Sequence, residues 1–263
     1  MIHRSFNFTH ALCRAPSQSV TSGLRLTDHG NPDPARLAQQ HEAYIQALEM
    51  AGVQVNLLPA REDYPDSVFV EDAALVLNGV AILLNPGAES RAGEPAMLKA
   101  DGAQFFKSVL GPHWAGPVDG GDILVFDDVI FVGLSERTSR TGAESLEAVV
   151  RDFGYDLRIV STPSDILHFK SHSSLLDHKT AIATATLAQT GCFDGFDIVV
   201  VPDNEPHGSN VIRVNEHVIL AEEAPKTVAM LRAEGFNVLP VPTSEVAKID
   251  GAVSCCSLRY SLS

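Results

Sequence analysis

Four apolar runs along the chain are each interrupted by a short polar turn and followed directly by a second apolar run. The turns lie at Asn78–Gly79, Asp127–Asp128, Asp177–Lys179 and Asn215–His217. Asn, Asp and Gly tolerate positive φ angles, so this arrangement is typical of a β-hairpin. The sequence therefore predicts four hairpins, and their spacing of roughly 40 to 50 residues indicates an internal repeat.

A helical pattern follows each hairpin. The predicted helices span residues 96–110, 143–153, 186–190 and 225–233, and Gly235 is expected to stop the last of them. Short strands, each close to a proline, are predicted at residues 157–160, 198–201 and 238–239. The repeating unit is therefore strand, strand, helix, strand.

The two chain ends together supply a fifth unit. The N-terminal part predicts a strand at 6–13, a helix at 35–50 and a strand at 53–58, and the C-terminal segment 252–262 predicts one further strand. We therefore predict an α/β fold, a five-bladed ββαβ propeller with pseudo-fivefold symmetry, as a single domain over residues 1–263. Pairing of the N- and C-terminal segments would close the ring and remove open sheet edges. An open α/β sheet with irregular repeats is the alternative.

Polar residues directly before the hairpins would converge on the central channel of such a ring. They are Asp66, Glu71, Asp72, Asp119, Asp122, His168, Asn210, Asp250 and Cys255. A cysteine thiolate is a nucleophile, a histidine transfers protons near neutral pH, and a carboxylate orients the imidazole. Cys255, His168 and Asp119 are therefore candidates for the nucleophile, the general acid/base and the orienting acid, and these are the roles that the resemblance described below implies for them.

Each of these residues also has a purely structural interpretation. A buried cysteine often serves as a small apolar side chain, and the adjacent Cys256 would point to the opposite face of a strand. His168 follows two apolar residues and would also fit a core histidine, while Asp119 would also fit a turn.

Charge and composition narrow the range of partners. The formal net charge of −14 argues against a nucleic-acid partner, and an acidic surface attracts cationic ligands, although it also serves solubility alone. No apolar run approaches the roughly 20 residues that cross a membrane, and residues 1–5 lack the apolar run of a secretory signal. The four cysteines in 263 residues do not form a disulfide framework, so we expect a cytoplasmic protein.

Six motifs in order along nearly the whole chain resemble the dimethylarginine dimethylaminohydrolases. These belong to the guanidine-modifying, or pentein, superfamily, which is built on a five-bladed ββαβ ring. The motifs are residues 65–72 (PDSVFVED), 86–91 (PGAESR), 119–122 (DGGD), 133–138 (GLSERT), 167–170 (LHFK) and 248–255 (KIDGAVSC). The resemblance implies hydrolysis of a methylated arginine through a covalent intermediate on Cys255, with no metal and no organic cofactor. Oligomeric state is left open, a homo-oligomer included.

The resemblance also implies substrate-binding roles. Asp72, with Glu71 beside it, resembles the acid that pairs with the guanidinium. Asp66, Asp250 and the backbone of Leu24 resemble the groups that hold the α-amino group, and Leu24 lies in a segment that could act as a lid. Arg91 and Arg137 resemble the residues that bind the α-carboxylate. Ile249 is a further expected substrate-binding residue.

The residue two positions after His168 bears on the choice of substrate. Arginine deiminases and amidinotransferases, the rival activities, carry His-x-Asp, whereas this chain reads His168-Phe169-Lys170. A dimethylated nitrogen has no N–H to offer an acid, so the sequence favours methylated arginines. Lys170→Asp would then favour arginine, provided that the lysine side chain points into the site. A non-catalytic ring, similar to a ribosome-binding translation factor, is the alternative of another class.

Overall fold

The computed structural model describes residues 5–164 and 166–262. The helices are α1 (Pro34–Met50), α2 (Glu94–Gly102), α3 (Arg140–Arg151), α4 (Ala185–Ala188) and α5 (Pro225–Ala233). The strands are β1 (His10–Arg14), β2 (Gln54–Leu58), β3 (Ala74–Leu77), β4 (Val80–Leu83), β5 (Ser108–Leu110), β6 (Ile123–Phe126), β7 (Val129–Leu134), β8 (Asp156–Ser161), β9 (Ser173–Leu175), β10 (Thr180–Ala183), β11 (Asp197–Val200), β12 (Val211–Val214), β13 (His217–Ala221), β14 (Asn237–Val241) and β15 (Leu258–Tyr260).

The strands form five three-stranded sheets, in the orders β3-β4-β5, β6-β7-β8, β9-β10-β11, β12-β13-β14 and β15-β1-β2. In each sheet the middle strand runs antiparallel to one neighbour and parallel to the other. The last sheet joins the two chain ends, because β1 pairs with β15 in a register that sets His10 opposite Tyr260. The predicted pairing of the N- and C-terminal segments is therefore present.

The hairpin turns form as their residue types predict. Asn78, Asp127 and Asn215 adopt φ angles of 54°, 54° and 52°, in the left-handed region that Asn and Asp tolerate. The remaining turn uses a side chain instead, because Asp177 Oδ1 accepts hydrogen bonds from the backbone N–H groups of Lys179 and Thr180 at 2.8 and 2.9 Å.

The helix predicted at 96–110 is too long. Helix α2 ends at Gly102, and β5 follows it and pairs in parallel with β4. Pairing with a sheet edge outweighs the helical spacing of the apolar residues here, because Phe106 is buried and Val109 packs against the same core. This strand completes a unit for which the sequence pattern had provided no third strand.

The N-terminal strand begins at His10, four residues later than predicted. The backbone before it is bonded elsewhere, since the Phe6 carbonyl accepts the N–H of Asn215 and the Phe8 N–H donates to the Asn215 side chain. The other helices agree with prediction within a few residues, and Gly235, at φ 89°, follows the end of α5.

Short 3-10 turns precede the first strand of four sheets, namely β3, β6, β9 and β12. They span Val70–Ala73, Gly120–Asp122, Phe169–Ser171 and Pro206–Ser209. Each turn carries or adjoins one of the polar residues selected from the sequence, so the repeat brings equivalent positions of several sheets toward one region. Within the described ranges, none of the helices has both the length and the apolar character needed to cross a bilayer.

Candidate active site

One cavity collects almost the whole predicted set of functional residues. It is lined by Leu24, Arg25, Asp66, Phe69, Asp72, Arg91, Asp119, Arg137, Leu167, His168, Ile249, Asp250, Gly251 and Cys255. The three predicted catalytic residues and every predicted substrate-binding residue except Glu71 are in this lining. Segments far apart in sequence thus meet at one small volume.

Asp122, rather than Asp119, is the carboxylate hydrogen-bonded to His168. Its Oδ2 lies 3.3 Å from His168 Nδ1, and its Oδ1 accepts the backbone N–H of Phe169 at 2.8 Å. The hydroxyls of Ser135 and Thr138 donate to Oδ2 at 2.7 Å, so this fully buried carboxylate is held from several sides. The sequence placed Asp122 among the polar residues of the channel but assigned it no role. The signal for it is its position as the last residue of the DGGD motif.

Asp119 lies beside His168 without an observed hydrogen bond to it. Ligand atoms of Asp72, Asp119 and His168 all lie within 4.8 Å of one another, and Asp119 Oδ1 accepts the N–H of Gly121 at 3.0 Å. Burial, and then the negative charge of Asp72, raise the pKa of Asp119 to about 7. The role of Asp119 as the orienting acid remains a prediction, and Asp122 is now a second candidate for that role.

Charge and burial act in opposite directions on His168 and Asp72. Burial lowers the pKa of His168, but the carboxylates of Asp119 and Asp122 outweigh burial and raise it to about 9. Burial likewise disfavours the charged form of Asp72, yet the Arg91 guanidinium and His168 hold its pKa below the ordinary value. The imidazole is therefore protonated at neutral pH.

The two glycines of the DGGD motif permit close approach. A Cβ atom on Gly120 would lie 1.9 Å from the Glu71 carbonyl oxygen, and one on Gly121 would lie 2.7 Å from His168 Cγ. Only glycine allows the turn to pack against the imidazole in this way. The motif therefore positions His168 by shape as well as by its carboxylates.

Cys255 lies in the turn that precedes β15, and its side chain is partly buried in the cavity. Burial, followed by the charges of Asp72 and Glu71, raises the pKa of its thiol to about 12. Cys256 is buried in an apolar core that also contains Cys13 and against which Cys255 packs, and its Sγ lies 3.4 Å from the Ala252 carbonyl oxygen. Of the two cysteines, Cys255 lines the cavity and Cys256 does not, but both lie in a turn and not on the strand for which the alternation of side chains was expected.

Arg91 is engaged by the protein itself. Its guanidinium pairs with both carboxylate oxygens of Glu94, at 2.9 and 2.6 Å, and forms a short ion pair with Asp72. Arg137 also lines the cavity, and its side chain has no ion-pair partner among the residues that the structure describes. Of the two arginines predicted to bind the α-carboxylate, Arg137 therefore has the guanidinium with fewer ion-pair partners among the described residues.

Two predicted ligands of the α-amino group bind the backbone of the segment around Leu24. Asp66 Oδ1 accepts the N–H of Leu24 at 2.9 Å, and Asp250 Oδ2 accepts the N–H of Leu26. The cavity beneath has a volume of about 40 Å³, enough for a few water molecules. The segment around Leu24 therefore forms one wall of a small cavity, held in place by the two carboxylates.

Glu71 and Lys170 instead line a second, larger cavity of about 1100 Å³, here named the channel. Glu71 Oε1 pairs with Lys170 Nζ at 2.8 Å and with Arg259 Nη2 at 2.7 Å. The side chain of Lys170 thus does not line the catalytic cavity, so the condition for the Lys170→Asp expectation is not met. The side chain of Glu71 is directed away from its neighbour Asp72, although its N–H donates to the Cys255 carbonyl oxygen at 3.2 Å.

The close set formed by Asp72, Asp119 and His168 has donors that could ligate a divalent cation. The Arg91 guanidinium already supplies a positive charge to Asp72 within hydrogen-bonding distance. This pairing offsets part of the buried negative charge without a metal ion.

Five three-stranded sheets, with a cysteine, a histidine and buried carboxylates in one cavity, define an α/β protein of repeated small sheets with the residue types of a cysteine-dependent enzyme. The N-terminal domain of ArgZ, an arginine dihydrolase from cyanobacteria, has this fold at 19% identity, with a TM-score of 0.81 over 96% of this chain and 98% of that domain. The family described as N,N dimethylarginine dimethylhydrolase, eukaryotic, matches residues 30–172. The N(G),N(G)-dimethylarginine dimethylaminohydrolase of Pseudomonas aeruginosa is 37% identical over 96% of this chain and its own full length.

Solved structures agree. A Cys-to-Ser variant of the Pseudomonas aeruginosa enzyme complexed with citrulline matches with a TM-score of 0.93 at 37% identity, over 97% of this chain and all of that one. A His-to-Gly variant of a dimethylarginine dimethylaminohydrolase, solved as an adduct with S-methyl-L-thiocitrulline, matches with a TM-score of 0.92 at 37% identity, over 96% of this chain and all of the other. The chain belongs to the dimethylarginine dimethylaminohydrolase family and is a hydrolase.

Proposed function

We propose that this protein hydrolyses asymmetric dimethylarginine and monomethylarginine to citrulline, with release of dimethylamine or methylamine. One observation carries the proposal: Cys255, His168 and Asp72 share a cavity with Arg137, Asp66 and Asp250. A guanidinium would lie near the first three residues, and the α-amino and α-carboxylate groups near the others. The relatives support this choice of substrate through their names and through the citrulline and thiocitrulline found in their structures.

The substrate cation activates the nucleophile. In the free protein, burial and nearby carboxylates keep Cys255 as a thiol. A guanidinium held by Asp72 adds positive charge beside the sulfur and favours the thiolate, so the thiol proton passes to solvent and the sulfur attacks the guanidinium carbon. A sulfur–carbon bond forms, and the carbon becomes tetrahedral.

His168 then serves first as an acid and afterwards as a base. Its imidazolium gives a proton to the methylated nitrogen, the carbon–nitrogen bond breaks, and the amine departs, which leaves a thiouronium on Cys255. The neutral imidazole next takes a proton from water, whose oxygen attacks the same carbon. The carbon–sulfur bond breaks, citrulline leaves, and the mechanism requires neither a metal nor an organic cofactor.

Asp119 and Asp122 divide the support of His168 between them. Asp122 accepts the hydrogen bond from Nδ1 and fixes the tautomer, which directs Nε2 toward the substrate. Asp119 adds negative charge that stabilises the imidazolium. Both carboxylates therefore hold the proton on His168 until the amine departs.

Methylated arginines are preferred because no acid lies two residues after His168. Phe169 is in the core, and Lys170 is bound to Glu71 in the channel. A buried acid facing a dimethylated nitrogen would lack a hydrogen-bond donor, and such an unpaired group costs about 1–3 kcal/mol. Arginine deiminase-like and amidinotransferase-like activity are the rival proposals, and a ring with no activity is the rival of another class.

We further infer a closed five-bladed propeller that forms a single domain over residues 1–263. The pairing of β1 with β15 supports closure. Cytoplasmic residence is also proposed, on the ground that Cys13, Cys192, Cys255 and Cys256 are all free thiols. Assembly into a homo-oligomer remains a proposal that size measurement in solution would decide.

A rapid-quench experiment tests the chemistry. Excess protein is mixed with asymmetric dimethylarginine, and dimethylamine, citrulline and the mass of Cys255-containing peptide are followed together. We expect equal amounts of the two products, with transient thiouronium on Cys255, and no product from Cys255→Ser. Steady dimethylamine release by Cys255→Ser would overturn the covalent mechanism, and no release by the wild-type protein would overturn the function.

A further inference from the structure

Asn210 and Glu71 are the members of the polar set selected from the sequence that the proposed chemistry leaves unused, and Asn210 contacts the segments that carry the reacting side chains. It follows the 3-10 turn Pro206–Ser209 at the start of β12, and its side chain is buried, at 3% exposure. It does not line the catalytic cavity. Yet its amide contacts the two segments that carry His168 and Cys255.

The amide of Asn210 makes three hydrogen bonds. Its Nδ2 donates to the carbonyl oxygen of Lys170 and to the hydroxyl of Ser254, both at 2.9 Å, and its Oδ1 accepts the N–H of Ser254 at 3.1 Å. The partners fix its orientation, because the carbonyl can only accept and the N–H can only donate. Every hydrogen-bonding group of the amide therefore faces a segment of the active site.

These partners stand next to the reacting side chains. Lys170 lies in the turn Phe169–Ser171, which begins directly after His168 and is closed by the Ser171 N–H donating to the His168 carbonyl oxygen at 3.0 Å. Ser254 precedes Cys255. One buried side chain from a third sheet thus links the histidine segment to the cysteine turn.

The bond to Ser254 also directs a proton. Because the Ser254 oxygen accepts from Asn210, its own hydroxyl hydrogen is available to the Cys255 sulfur, 3.8 Å away. A hydroxyl that donates to sulfur favours the thiolate over the thiol. Loss of the amide would free this hydroxyl to turn away from the sulfur.

We propose that Asn210 is a positioning residue that sets the distance between the nucleophile turn and the histidine segment, and orients the Ser254 hydroxyl toward the Cys255 sulfur. Reactions between held groups are sensitive to displacements of about 1 Å, which can cost about 100-fold in rate. Substrate recognition by Asp72, Arg137 and Asp66 is left in place, so the effect falls on kcat. This inference rests on the proposed function for its kinetic part only.

Asn215 provides a matched control in the same sheet. Its Oδ1 accepts the N–H of Phe8 at 2.9 Å, and its Nδ2 donates to the carbonyl oxygens of Phe8 and Ala51 at 3.1 and 2.8 Å. It makes the same number of bonds as Asn210, but none with a segment of the cavity. Asp tolerates its φ angle of 52°, so Asn→Asp removes two donated bonds at either position.

The experiment compares Asn210→Ala, Asn210→Asp and Asn215→Asp with the wild-type protein. For both Asn210 variants we expect kcat on asymmetric dimethylarginine to fall about 10- to 100-fold, with KM within about threefold. Asn215→Asp should retain kcat within about threefold, although its melting temperature should fall as much as that of Asn210→Asp. A kcat within threefold of wild type in a folded Asn210 variant, or an equal loss of kcat in Asn215→Asp, overturns the proposal.

A second readout needs no substrate. Iodoacetamide alkylation of Cys255, followed by peptide mass from pH 6 to 10, should be several-fold slower in Asn210→Ala and in Ser254→Ala, and unchanged in Asn215→Asp. Ser254→Ala removes one of the three bonds and so serves if the Asn210 variants do not fold. Unchanged alkylation in Ser254→Ala overturns the proton-directing role. If the wild-type protein fails to turn over dimethylarginine, the proposed function fails while alkylation still decides the role of Asn210.

Discussion

At the scale of single residues, the cavity combines a thiol of raised pKa, Cys255, with a protonated imidazole, His168. The pKa of Cys255 is raised to about 12 and that of His168 to about 9. Neutral pH therefore favours thiol and imidazolium in the free protein, whereas many cysteine enzymes hold a ready thiolate. In the proposed mechanism, the cationic substrate therefore supplies the positive charge that ionises the sulfur.

This protonation state predicts slow alkylation of Cys255 without ligand. Its rate with iodoacetamide should still be rising at pH 10, because the thiol keeps its proton beyond the ordinary value of 9.0. A bound amidine cation should move the rise to lower pH. Cys256→Ser should leave both the alkylation and the turnover intact, while Cys255→Ser removes both. A plateau in the free protein below pH 8 would contradict the assignment.

Asp119 predicts a link between stability and pH. Its pKa is raised from 3.8 to about 7, so its contribution to folding is full below about pH 4 and is lost as the pH rises through 7. Asp119→Asn keeps the shape without the charge. Its melting temperature should therefore exceed that of the wild type by an amount that grows from pH 4 to 7, to at least about 3 °C, then levels.

The same substitution should lower kcat, since His168 loses a neighbouring negative charge. Asp122→Asn removes the negative charge and replaces one carboxylate oxygen with an NH2 group, so that either His168 or the Phe169 N–H loses its acceptor, and kcat should fall further. Calorimetry and steady-state kinetics on the two variants measure both effects. A gain in melting temperature that shrinks as pH rises would show that Asp119 is not held as we describe.

Residue types in a repeat were enough to select Cys255, His168 and Asp119 from the sequence, and the structure brings them to one cavity. They did not reveal that His168 would bond to Asp122, because both acids lie in the same four-residue motif and the 3-10 turn of that motif decides which of them reaches the ring. The directions of the Lys170 and Glu71 side chains were not predicted either, since they depend on Glu71, which pairs with both Lys170 and Arg259.

At the scale of elements, the 3-10 turns before the first strands of the sheets carry or adjoin candidate active-site residues. Gly120–Asp122 packs its backbone against the His168 ring, a contact that depends on Gly121. Spacing of apolar residues predicted most helices and hairpins, because those elements bury one face. The same spacing gave the wrong prediction for residues 96–110, where Val109 belongs to strand β5, which is stabilised by pairing with β4.

Gly121→Ala tests the turn. The added methyl group would lie 2.7 Å from His168 Cγ, so the imidazole must shift, and we expect a loss in kcat of about 10- to 100-fold. Gly111→Ala is the control, because its Cβ would meet only Leu83, at 3.9 Å. Equal kinetics for the two variants would mean that the close contact has no catalytic importance.

At the scale of the whole molecule, five small sheets bring distant segments together. The cavity draws on residues from Leu24 to Cys255, and the sheet formed by β15, β1 and β2 ties the ends of the chain. The repeat in the sequence predicted this arrangement because the two chain ends together supply the strands of a fifth unit. What it could not predict is the wall of Lys170, Glu71 and Arg259 in the channel, which depends on side-chain pairing between sheets.

The central claim is that this assembly hydrolyses methylated arginines, and the ratio of kcat/KM values tests it most directly. Citrulline formation is measured for asymmetric dimethylarginine, monomethylarginine and arginine at the same pH, with Cys255→Ser as the blank. We expect kcat/KM for both methylated substrates to exceed that for arginine by about 10- to 100-fold, the equivalent of one unmatched buried polar group. Equal values for arginine and dimethylarginine, or citrulline from the Cys255→Ser protein, would contradict the account.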